Sequence, residues 1–154
     1  MTRTAISRRR RVIQLAAAAI LVGIGGAATS YLLTLPSADC RTAGEAITFI
    51  SRHQDLFTTT SNLKAGAEVS TYQRWAGELQ RYADAASDPE VAPHLRHIAD
   101  EAAHAAGLVE LARAIPGDAA TTTPGQEAIA RGFALDMTSI VDTENQLLDV
   151  CNLR

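Results

Sequence analysis

Residues 91–112, VAPHLRHIADEAAHAAGLVELA, place apolar side chains at Val91, Leu95, Ile98, Ala102, Ala105, Val109 and Ala112. The spacing alternates four and three without a break, the seam of a helix that packs along its whole length. Asp88-Pro89 marks the start of this helix, Pro93 is tolerated in its first turn, and Pro116-Gly117 ends it. Outward from this helix, the same periodicity recurs three more times. Ala43, Ile47, Ile50 and Phe57, widened by Ala46, Phe49 and Leu56, predict a first helix over about 40–59. Val69, Tyr72, Ala76, Leu79 and Ala83 predict a second over about 65–86, after the polar run Thr58–Asn62. Ala130, Phe133, Met137, Ile140, Leu147 and Cys151 predict a fourth over about 126–152, after the loop Thr121–Gly125. Few segments read as strands. The expectation is all-α: an antiparallel up-down-up-down four-helix bundle.

The two cysteines give an independent count. Cys40 precedes the first helical stripe and Cys151 ends the last. A disulfide between them needs Cα atoms within about 7 Å, so both ends of the domain must meet. An even number of antiparallel helices brings them together, and an odd number leaves them at opposite poles. Two free thiols are the alternative.

Compartment is read from the first residues. Arg8–Arg11 are followed by 12–35, which carry no charge. At 1.5 Å per residue such a helix is about 36 Å long, enough for a hydrocarbon core of about 30 Å. The basic flank places 1–11 in the cytoplasm, 12–35 as a single transmembrane helix serving as a signal anchor, and 39–154 outside the cell membrane. Cleavage as a signal peptide, after Ser30, is the other reading, although a signal peptide's apolar core is usually shorter. Charge divides at the same place. The chain carries a net −3, but residues 39–154 hold all 17 acidic residues against nine basic ones, a net −8. An acidic domain lacks the basic footprint that nucleic acid requires. The Ala- and Arg-rich usage, with Lys64 as the one lysine, suggests a GC-rich bacterial genome.

Chemistry-bearing residues are few. His94, His97, Glu101 and His104 follow i, i+3, i+7, i+10 and share one helix face. Imidazole and carboxylate suit a transition metal such as zinc, copper or iron. Glu101 and His104 also have the Glu-x-x-His spacing of di-iron bundles, but no second such pair occurs. At about 100° per residue this face lies roughly a quarter turn from the Val91–Ala112 seam, so it is expected as a polar flank. Glu144 sits where the fourth stripe calls for an apolar residue. It is expected to be buried, with a raised pKa or a partner such as His97, Tyr82 or Arg81. His53 falls between Ile50 and Phe57 and is expected in the core. Haem is not expected: there is no Cys-x-x-Cys-His motif, and alanine seams leave little room for a porphyrin. Trp75-Ala76-Gly77 matches the Trp-x-Gly tripeptide of small secreted type VII substrates, but it falls inside a helical pattern and reads as coincidence. No phosphate loop, nucleophile elbow or His-Glu-x-x-His motif is present.

These observations favour a non-enzymatic, membrane-anchored extracytoplasmic accessory or protein-interaction subunit of a bacterial envelope complex. It would contact the lipid bilayer through 12–35 and a membrane or envelope protein through its acidic surface. A metal- or haem-binding bundle using the histidines of the third helix, with His94, His97, Glu101, His104 and Glu144 as the metal set, is the second reading. A sensory domain is the third, and with about eleven cytoplasmic residues it would need a partner chain to signal.

Overall fold

The computed structural model describes residues 36–57, 63–116 and 123–153. The chain divides into a unit Met1–Pro36 and a unit Ser37–Arg154, and the elements below belong to the second. They are α1 (Ala38–Arg52), a short 3-10 turn (Gln54–Leu56), α2 (Val69–Ala85), α3 (Ala92–Ala114) and α4 (Pro124–Val150). The fold is an all-α helical bundle, with no strand among the described residues. No helix among them is long and apolar enough to cross a membrane; the span expected at 12–35 lies outside the described residues.

Local chemistry sets the ends of the helices. The Ser37 side chain accepts the Cys40 N–H at the start of α1. The Asp88 carboxylate accepts the N–H groups of Glu90 and Val91, closing the turn into α3. Thr123 and Gln126 form a reciprocal capping box on α4, with Pro124 in its first turn. Beyond Val150, Asn152 takes a left-handed conformation at φ 51°. The Leu153 N–H then bonds Leu148 O and the Asn152 N–H bonds Asp149 O, a Schellman stop in which asparagine replaces the usual glycine. That stop lays Leu153 over Gly44 of α1.

Two helices differ from expectation at their ends. α1 stops at Arg52 instead of about residue 59. His53 Nδ1 bonds the Phe49 carbonyl and its backbone N–H bonds Ile50, so the chain tightens from i−4 to i−3 bonding and leaves the α-helix. His53 is therefore a half-exposed capping residue and not a core histidine. α2 begins at Val69 instead of about residue 65, because the carbonyls of Leu63, Gly66 and Ala67 are taken by Arg113 from the end of α3.

The core is thin along α3 and thick beside it. Ala92, Ala99, Ala102, Ala105, Ala106 and Ala112 of α3 are buried, so its backbone approaches α2 and α4 closely. The bulky residues come from those neighbours: Tyr72, Trp75 and Phe133 are almost fully buried. Tyr72 meets Phe133 edge-on at 5.9 Å, and Phe57 meets Trp75 at 5.7 Å, the geometry aromatic quadrupoles favour. Tyr72 also donates its hydroxyl to Leu56 O at 3.2 Å, seating the 3-10 turn on the bundle.

Polar contacts fix the helix directions. Asp39, at the start of α1, accepts the N–H groups of Ser87 and Asp88, just past the end of α2. Arg113 and Lys64 join the end of α3 to the loop before α2. His97 meets Ser139 and His104 meets Asp136, so α3 and α4 run in opposite senses. Cys40 and Cys151 are joined in a disulfide with their Cα atoms 5.3 Å apart. The two ends of the bundle meet, as the even helix count requires.

Candidate functional site

The histidine-bearing face of α3 does lie on a flank, and the structure supplies what it faces. Phe133, Met137, Ile140 and Leu147 turn the buried stripe of α4 toward α3. Asp136 falls on the same stripe, three residues after Phe133 and four before Ile140. It is only 6% exposed. His104 Nδ1 lies 2.9 Å from Asp136 Oδ2. Glu101 shares a side-chain hydrogen bond with Asp136. His97 Nε2 lies 3.8 Å from Glu101 Oε1 and 3.0 Å from Ser139 Oγ. The result is a polar chain across the α3–α4 seam: Ser139, His97, Glu101, Asp136, His104. Asp136 is its buried centre, and both histidines are at least half exposed.

Electrostatics follow from that placement. Burial pushes the Glu101 carboxyl above its ordinary value of 4.5. The hydrogen bond to Asp136 and the Asp136 charge push the same way, while His97 and His104 oppose them.

The expected metal set is only partly assembled. Glu101 and His104 come together through Asp136, and His97 reaches Glu101. His94 instead lines an open trough of about 490 Å³ with His97, Leu135, Asp142 and Gln146. Among the described residues, no group of three or more His, Cys, Asp or Glu side chains is arranged to hold a metal ion. The arrangement ties α3 to α4 through side-chain hydrogen bonds.

Glu144 does not reach His97, which is engaged by Ser139 and Glu101. Nor does it take Tyr82, which lies against Phe49, or Arg81, which pairs with Glu78. Thr143 occupies the buried position beside it, with its hydroxyl bonded to Ser139 O at 2.8 Å. Glu144 is half-buried and makes no side-chain hydrogen bond or ion pair among the described residues. Burial alone pushes its carboxyl above the ordinary 4.5. A raised carboxyl binds its proton more tightly in the folded state than in the unfolded one. Its contribution therefore favours folding at acid pH and is lost as pH rises from about 4.5 through the raised value. Glu144→Gln is expected to raise the melting temperature at pH 7 and to reduce its decline as pH rises above about 4.5. Circular dichroism melts across that range check both.

Asp136 could have been noticed in the sequence as a charge on an apolar stripe, the criterion that selected Glu144. Its partners could not, because they depend on the rotation of α4 against α3. No family model, curated protein or solved structure matches this chain.

Proposed function

We propose that this chain is a membrane-anchored accessory subunit of a bacterial envelope or membrane complex. In this reading residues 12–35 are the anchor, 1–11 remain in the cytoplasm, and an up-down-up-down bundle beyond residue 36 stands outside and binds a partner protein. The observation that carries the reading is the Cys40–Cys151 bridge, because such a bond persists where thiols are not kept reduced. The basic run ahead of the uncharged stretch gives the matching direction across the membrane.

Two features of the bundle support contact over turnover. Its interior is filled by alanine seams and three large aromatics. Its outer surface carries Leu135, 70% exposed on α4, at the rim of the trough lined by His94, His97, Asp142 and Gln146. A large apolar side chain left in water beside polar groups is a feature of contact surfaces.

Membrane fractions run on a gel with and without reductant test the placement, and capture in mild detergent tests the role. The expected result is a membrane-bound chain whose mobility changes on reduction, and a co-purifying protein lost in Leu135→Glu. A chain in the soluble fraction with two free thiols overturns the placement. A monodisperse monomer with no companion overturns the role.

A further inference from the structure

We infer that the outer face of α4 is a self-complementary stripe that pairs antiparallel with the same face of a second copy of this chain. The inference rests on the reading of the Leu135 rim as a contact surface and names what covers it.

Ala128, Arg131, Leu135, Thr138, Asp142 and Asn145 recur along α4 at alternating spacings of three and four, and all six are exposed. That alternation is the repeat of a helix with a packing seam. It runs along the side of α4 away from the core residues Phe133, Met137, Ile140 and Leu147. α4 therefore carries two seams, one turned inward and one left in solvent. The exposed large apolar side chains among the described residues are Leu111, Leu135, Val141 and Val150, and all belong to α3 and α4. α1 and α2 offer no comparable apolar surface among those residues.

Charge selects the occupant and its direction. Arg131 and Asp142 are three helical turns apart, about 16 Å along the axis, one on each side of Leu135 and Thr138. Neither forms a side-chain hydrogen bond or ion pair among the described residues. In an antiparallel two-fold pair centred between residues 136 and 137, Arg131 of each copy faces Asp142 of the other. Leu135 then faces Thr138, and Ala128 faces Asn145, and two-fold symmetry makes each contact twice. Parallel packing instead sets arginine against arginine and aspartate against aspartate, which is repulsive at both places. The Thr138 hydroxyl donates to Ala134 O at 2.9 Å and the Asn145 amide to Val141 O at 3.0 Å. Both donate into their own helix, which lowers the cost of covering them.

The same register matches an apolar side chain to the trough beside Leu135. Leu108 lies over Gly132, so Leu111, nearly one turn further along α3, is level with about Ile129 of α4. Ile129 of one copy is level with Glu144 of the other. Exposed Leu111 thus arrives at the height of the second copy's trough, whose walls include Thr138, Asp142 and Gln146.

Sedimentation of the full chain in mild detergent over a concentration series tests the pairing. Detergent imposes no common membrane plane on the two copies, so the face alone is read. A reversible dimer is expected for the wild type. Arg131→Glu and Asp142→Arg each turn two attractive pairs into two repulsive ones and should weaken the dimer at least about tenfold. Combining the two substitutions restores opposite charges across the seam and should recover most of the lost affinity. A wild-type monomer at the highest concentration overturns the pairing. So do charge reversals that leave dissociation unchanged, or a double variant no tighter than the single ones. A chain that is monomeric alone but holds a different protein, lost in Leu135→Glu, overturns the second copy as occupant and leaves the contact surface standing.

Discussion

Replacing both Cys40 and Cys151 with serine is expected to lower the unfolding free energy by about 4–5 kcal/mol, in the chain-entropy account of cross-linked loops. The bridge joins residues 111 apart in sequence and so encloses nearly the whole bundle. The loss should fall first on α1. That helix buries Ala43, Ala46 and Ile50, two of which are small. Its other ties include the Asp39 carboxylate on the Ser87 and Asp88 amides, the Phe49 ring against Tyr82 and the contact of Leu153 over Gly44. None compares with a covalent link. α2, α3 and α4 keep Tyr72, Trp75, Phe133 and the alanine seams without α1. Amide hydrogen exchange in α1 should therefore accelerate more than in α3 when the bridge is absent. Urea unfolding of the oxidised chain and the double variant measures the difference. Coincident transitions would show that the bridge closes an already rigid structure. The double substitution is preferable to a single one, which leaves a thiol free to form intermolecular bridges.

How far the sequence reaches is visible helix by helix. Every residue of the Val91–Ala112 seam is buried, because a four-three alternation of apolar residues with polar neighbours has one low-energy placement. Cys40 and Cys151 pair because the helix count brings the ends together. Local patterns failed where a distant group competes for the backbone. The second helix is expected from about residue 65, yet Arg113 takes the carbonyls that another turn of α2 would use. The flank of α3 was legible as a polar face, but Asp136 was not legible as its centre. Glu144 drew attention by the same rule that applies to Asp136, and the two differ only in the rotation of α4. One position along the stripe puts Thr143 inside and leaves Glu144 at the edge.

The Arg113 contact also sets the second large effect. Arg113→Ala is expected to cost about 2–4 kcal/mol, the loss of charge-assisted bonds to several backbone acceptors at once. The guanidinium sits in the last turn of α3, where a cation suits the helix dipole, and its side chain is 20% exposed. Nε donates to Leu63 O at 3.3 Å and Nη2 to Gly66 O at 3.0 Å and to Ala67 O. Lys64 reaches back to Ile115 O at 2.8 Å, so the loop and the end of α3 hold each other. Alanine would leave the three loop carbonyls without their donor and free the segment before Val69. Arg113→Lys should recover only a small part, since one ammonium cannot fan out to acceptors on three residues. The Glu68 carboxylate, 3.5 Å from Nη1 and 85% exposed, is a different matter. A surface pair of that kind is worth little, and Glu68→Gln should change stability by less than about 0.5 kcal/mol. The contrast separates two explanations of the arginine. If charge pairing with Glu68 were its role, Arg113→Ala and Glu68→Gln would shift the melting temperature alike. If it is a backbone clamp, only the arginine variants should shift it, and the first-turn amides of α2 should lose hydrogen-exchange protection with them.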